Sequence, residues 1–267
     1  MSTLCLPGRT LYYEIHGEGF PLIYVGGFGL TTGAHVATVD EGLRERFRII
    51  VFDHAGLGRS DPAPGPGRTE EIAVDVAELA RHLDLSDGFH LAGTGGLGAC
   101  VAQHLAIMKP PGLRKVILSQ GWAFPEPFHT AQSRTFYTLR QQSYEAYATY
   151  GVTVAYLPED VNAHYAELIR VAPDDTSAAA RKDAHLRLIH ANMTHDARDG
   201  LGSIRVPVLV VCAELDQLGA PRLSRDLADR IPGARFHQIP GAPHVISSVR
   251  RARAERERAF VSFLTEN

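Results

Sequence analysis

The run Phe89-His90-Leu91-Ala92-Gly93-Thr94-Gly95-Gly96-Leu97-Gly98-Ala99-Cys100, continued by Val101-Ala102-Gln103-His104-Leu105-Ala106, constrains the fold more than any other stretch of the chain. An apolar segment breaks into crowded glycines and then into a helical pattern, which predicts a strand, a very tight turn and a helix. Glycines so placed allow left-handed backbone angles and let strand and helix pack close on either side of the turn.

The rest of the chain suits one domain: 267 residues, 45% of them hydrophobic, supply a substantial core. Net charge is −3 with both signs interspersed, which gives no electrostatic case for nucleic acid or an anionic membrane and makes a small-molecule protein the expectation. No apolar run approaches the roughly 20 residues of a membrane span. Met1-Ser2-Thr3-Leu4 lacks the basic start and apolar core of a signal peptide, so the cytoplasm is the expected location. Cys5, Cys100 and Cys212 are scattered without C-x-x-C spacing and read as reduced core residues. Among 13 histidines no H-E-x-x-H or similar pair calls for a metal, and nothing calls for a cofactor. A homodimer is left open.

In chain order, Leu11 to Gly17 and Pro21 to Val25 read as strands around a Gly17-Glu18-Gly19 turn, the second ending at Gly26-Gly27-Phe28-Gly29. Phe47 to Phe52 is the next strand. Thr69 is the expected N-cap of a helix whose buried face is Ile72, Val76, Leu79 and Leu83. Lys115 to Ser119 and Val206 to Cys212 are further strands. No comparable β run lies between them, against about 4 to 6 residues for an ordinary loop, so a helical insertion is expected there. It concentrates the aromatics Trp122, Phe124, Phe128, Phe136, Tyr137, Tyr144, Tyr147, Tyr150, Tyr156 and Tyr165, some of which should line an apolar pocket. Arg235 to Ile239 is the last strand. A helix from Ser248 to Leu264 follows, reading as a solvated face with Arg250, Arg251, Arg253, Arg256 and Arg258 among Glu255 and Glu257.

These motifs and their order resemble the α/β-hydrolase superfamily over nearly the whole chain outside the insertion. Asp53-His54-Ala55-Gly56-Leu57-Gly58-Arg59-Ser60 is similar to that family's D-x-R-G-x-G-x-S turn, with Ala55 at the Arg position. The glycine-rich turn resembles its nucleophile elbow, G-x-S-x-G, without the serine. Counted from the strand, Gly95 takes the nucleophile position; counted back from the helix, Gly96 does, and this register is preferred. A third register would make Thr94 the nucleophile, though a β-branched residue fits strained angles poorly. The resemblance implies an α/β fold with a mostly parallel central sheet flanked by helices. Residues 1–121 and 201–267 would form the core and 122–200 a helical lid. It also implies an oxyanion hole from the Phe28 N–H, following Gly27, and the Leu97 N–H. Cys212-Ala213-Glu214-Leu215-Asp216 corresponds to G-E-x-D, which makes Asp216 the acid with Glu214 as runner-up, and Pro240-Gly241-Ala242-Pro243-His244 corresponds to G-x-G-H, which makes His244 the histidine. Gly27, Trp122, Phe128 and Tyr137 are the expected substrate contacts.

Three functional readings follow. In the favoured one, His244 and Asp216 act as a general acid–base pair with a backbone oxyanion hole on a small apolar carbonyl compound, without a covalent intermediate. An elimination, cyclisation, decarboxylation or water-mediated hydrolysis would each suit that pair. The alternatives are a binding pseudoenzyme, and a hydrolase that uses Thr94 or whose native serine was replaced.

Overall fold

The computed structural model describes residues 2–170 and 181–266. The strands are β1 (Thr3–Leu6), β2 (Arg9–His16), β3 (Phe20–Val25), β4 (Phe47–Phe52), β5 (Phe89–Gly93), β6 (Leu113–Ser119), β7 (Val208–Ala213) and β8 (Arg235–Ile239). They form one eight-stranded sheet in the order β1-β2-β4-β3-β5-β6-β7-β8. β1 with β2 and β2 with β4 pair antiparallel, and every later pairing is parallel. This is the mostly parallel α/β-hydrolase architecture expected from the sequence; β1, four residues beside the Pro7-Gly8 turn, is an addition to it.

Helices cover both faces, as a parallel sheet buried on both sides requires. They are α1 (Thr32–Thr38), α2 (Glu41–Arg44), α3 (Thr69–His82), α4 (Leu97–Met108), α5 (Pro127–Gln142), α6 (Tyr144–Ala155), α7 (Pro158–Leu168), α8 (Lys182–Met193), α9 (Arg198–Leu201), α10 (Pro221–Arg230) and α11 (Arg250–Thr265). On one face Ile72, Val76 and Leu79 of α3, Val101 and Leu105 of α4 and Leu227 of α10 pack against Ile23, Leu91, Val116 and Val210. On the other, Leu43 of α2 and Phe260, Phe263 and Leu264 of α11 meet Leu22, Ile49, Ile117 and Val211. Strand order reverses between β3 and β5, so the loops leaving their C-terminal ends open a crevice at that edge, where ligands bind in such sheets.

Helices α5 to α8 leave the sheet between β6 and β7, where the sequence lacks strands. The Ala197 N–H donates to the Ala123 carbonyl at 2.9 Å and closes the insertion at its base. The Val245 N–H donates to the Ala155 carbonyl at 2.9 Å and ties the end of α6 to the loop carrying His244.

Three local readings are corrected. Thr69 is the first helical residue and does not cap α3; its hydroxyl is 2.9 Å from Nδ1 of His195. Arg256 is not solvated: it is buried against Asp40, with bonds of 2.6 and 2.9 Å to the two carboxylate oxygens. Cys5 is exposed, whereas Cys100 and Cys212 are core residues. A helix turned by its arginines toward water can still bury one of them where a carboxylate waits beneath, and spacing alone does not reveal that partner.

Several histidines are held neutral inside. Burial pushes His35 down to about 4 and His54 and His195 to about 3. Unfolding restores an ordinary value near 6.5. Between pH 6.5 and about 4 the unfolded chain therefore binds protons that the native state refuses, and stability falls as pH drops, by up to about 1.4 kcal/mol per pH unit for each such group. Urea midpoints measured from pH 7 down to pH 4.5 should decline steadily, and a level profile would contradict this burial.

Candidate active site

The turn between β5 and α4 is built by backbone contact. A Cβ on Gly98 would stand 2.0 Å from the Val25 carbonyl oxygen, so the first turn of α4 lies directly on the end of β3 and only glycine fits there. Gly96 forms the apex, with φ 71° and ψ −80°, immediately before α4. These are γ-turn angles, and the Leu97 N–H closes the turn onto the Gly95 carbonyl at 2.9 Å. Thr94 precedes the apex and donates its N–H to the Val25 carbonyl at 2.9 Å.

The space above Gly96 is already occupied. A Cβ there would lie 3.1 and 3.2 Å from two ring carbons of Trp122 and 3.9 Å from Nδ2 of Asn192. Trp122 is held from behind: Nε2 of Gln103 donates to its carbonyl at 3.0 Å, and Oε1 of Gln103 faces Nε2 of His195 at 3.2 Å. On its other side the ring packs against a tilted His129 ring at a centroid separation of 4.1 Å. The β3 loop is packed in the same way: a Cβ on Gly26 would fall 2.3 Å from Nε2 of His35.

Across the crevice, the loops after β7 and β8 carry Asp216 and His244. They are laced together by Leu215 N–H to Ala242 O at 2.8 Å and by Glu214 N–H to Ile239 O at 3.1 Å. His244 Nδ1 lies 3.0 and 2.9 Å from the two Asp216 carboxylate oxygens. The carboxylate also accepts from the Leu218 and Gly219 N–H groups at 2.8 and 2.9 Å and from Gln120 Nε2 at 2.7 Å. Burial alone would raise the Asp216 pKa; the His244 charge and these donors outweigh it and hold the carboxyl below the usual range. Burial likewise disfavours a charged His244, but Asp216 outweighs it and raises the imidazole above 6.5. Glu214 is exposed and instead accepts the Gly241 N–H at 2.7 Å.

His244, Gly96, Gly95, Thr94, Gly27, Phe28 and Trp122 line one cavity of about 410 Å³, within the usual range for small-molecule sites. The Phe28 N–H borders it and has no acceptor among the described residues. Leu97 is buried beneath, its N–H already engaged across the turn. Two expected contacts are displaced. Phe128 is 65% exposed and Tyr137 lies off the cavity, while their neighbours His129 and Phe136 line it. The inward face of α5 runs through His129, Ser133, Phe136 and Arg140, a helical spacing that composition could not phase. Tyr144, Tyr147, Tyr156, Asn192 and Gln120 complete the wall; the last two carried no signal in the sequence.

A family profile described as serine aminopeptidase, S33, matches residues 22–248. A protein from Azorhizobium caulinodans bearing the provisional name carbamate hydrolase RutD is 31% identical over 244 residues, 90% of this chain and 89% of that one. A thermophilic esterase from Thermogutta terrifontis superposes with a TM-score of 0.78 at 28% identity, covering 98% of this chain and 96% of that one. A hydrolase from Pseudomonas aeruginosa gives a TM-score of 0.81 at 24% identity over 99% and 98% of the two chains, a likeness of fold.

Two variants probe this geometry. Asp216→Asn removes the charge that stabilises the imidazolium, so the His244 titration followed by NMR should move downward. Gly96→Ser forces a side chain against Trp122 at a left-handed φ, at a cost of about 1–3 kcal/mol that a lowered melting temperature would register.

Proposed function

Because the chain belongs to the family described as serine aminopeptidase, S33, among the α/β-hydrolases, we propose that it hydrolyses a small, largely apolar carbonyl compound with a water activated by His244. In this reading Gly96 stands at the position where the family carries its nucleophile, and no side chain of the turn forms a covalent intermediate. The observation that supports it is the His244–Asp216 pair, which borders the same cavity as a turn apex without a side chain. A carbamate, the class named for the Azorhizobium relative, has the reacting carbonyl that this reading requires.

With Nδ1 turned to Asp216, the Nε2 of neutral His244 takes a proton from water. The hydroxide oxygen bonds to the substrate carbonyl carbon and the π pair moves onto the carbonyl oxygen. The Phe28 N–H, and the Asn192 amide facing the same turn, receive that charge. The tetrahedral adduct collapses as the leaving group departs with the proton returned by His244, so water adds across the broken bond. Asp216 stays ionised and stabilises the intermediate imidazolium. The helices α5 to α8 act as a lid whose aromatics exclude bulk water, which strengthens each of these interactions. The relatives' names favour hydrolysis over the elimination and cyclisation that the same pair would also permit.

The decisive experiment compares wild type and His244→Ala on alkyl carbamates and short 4-nitrophenyl esters. We expect about a 10²–10⁴-fold loss of turnover in the variant, the size of a general acid–base contribution, and no acyl adduct in the intact mass of wild type during turnover. Equal rates in the two proteins, or an acyl adduct mapped to Thr94, would overturn the reading. Shared ligand binding without turnover in either protein would make the chain a binding protein.

A further inference from the structure

Gln120 follows β6 directly and adopts φ 64°, a left-handed conformation unusual for a residue with a side chain. Its backbone is pinned: the N–H donates to the Val211 carbonyl at 2.8 Å, and a Cβ on Gly219 would stand 2.4 Å from its carbonyl oxygen. The side-chain amide has two N–H donors, and three atoms lie within bonding distance of its nitrogen, His244 Nδ1 among them at 3.2 Å. Nε2 is 2.7 Å from Oδ2 of Asp216 and 2.7 Å from the main-chain oxygen of His244. Strain of this kind persists where the surroundings hold it and clusters at functional sites.

We propose that Gln120 is a positioning residue: its amide clamps the Asp216 carboxylate to the His244 main chain, so the ring presents Nε2 to the cavity and shares the carboxylate with a competing donor. The role rests on the reading of His244 as the base, but its geometric effect does not need turnover to be seen. Removing the amide leaves Asp216 with one donor fewer and more of its charge directed at the imidazole. Among the described residues, His129 and Cys212 also feel Asp216. The Cys212 thiol is pushed up to about 12, chiefly by burial, and the His129 imidazole is held down to about 4 by the same cause, so neither titrates alongside His244 near neutrality.

The test uses Gln120→Met, which keeps the length and the strained φ while deleting both donors, and Gln120→Gly, which deletes them and relieves the strain. His244 is titrated by NMR in each full-length protein, with melting temperature and steady-state kinetics on 4-nitrophenyl acetate measured in parallel. We expect the His244 midpoint to move upward in both variants and kcat to fall about tenfold or more with KM little changed, as misplacement of a reacting group produces. Gln120→Gly should melt no lower than Gln120→Met. An unchanged His244 midpoint in Gln120→Met overturns the proposal. If wild type proves inert toward the ester, the midpoint alone decides, and the failure then belongs to the hydrolase reading and not to the clamp.

Discussion

A buried carboxylate must be compensated, and the loops at the open end of the sheet are arranged around one. Asp216 has a fully buried side chain. An isolated ionised group there would be prohibitive, and every compensation comes from a different part of the chain: main-chain N–H groups of its own loop, the Gln120 amide from the end of β6, and His244 from beyond β8. The loops after three neighbouring strands are thereby fixed by a single charge. The same four contacts that make the carboxylate tolerable also hold the His244 ring in place, so compensation of the charge and placement of the ring share one origin.

The opposite wall follows a different logic, in which aromatic rings fill the space beside glycines. Where a side chain would project from the apex at Gly96, the edge of Trp122 stands; where one would project from Gly26, the His35 ring stands. Interiors are packed to near crystal density, so the space beside each of these glycines is filled by a ring reaching in from another element. Trp122 is in turn stiffened by Gln103 and His195, a polar chain running from α4 to the base of the insertion.

The fold was legible because its signals are local and repeated. Strand β5, the glycine turn and α4 could be read from one run of residues, and the apolar stretches of β3, β4, β6 and β7 each form a strand of the sheet, with β3 and β4 exchanged in spatial order. Asp216 and His244 were legible from their place after the right strands. The contacts of α5 were not, because one residue of rotation separates Phe128 from His129 and nothing in the string fixes the phase. Gln120 and Asn192 were invisible for another reason: an isolated amide acquires meaning only from partners distant in sequence, Asp216 in one case and the Gly96 turn in the other. The N-cap at Thr69 failed because its hydroxyl found His195 instead, a tertiary partner that local rules do not contain.

The bond from Val245 N–H to the Ala155 carbonyl joins the covering helices to the residue next to His244. The wall over the cavity and the loop that carries the imidazole are thus joined by main chain and not by side chains. Because both partners are main-chain groups, any residue except proline at position 245 retains the donor.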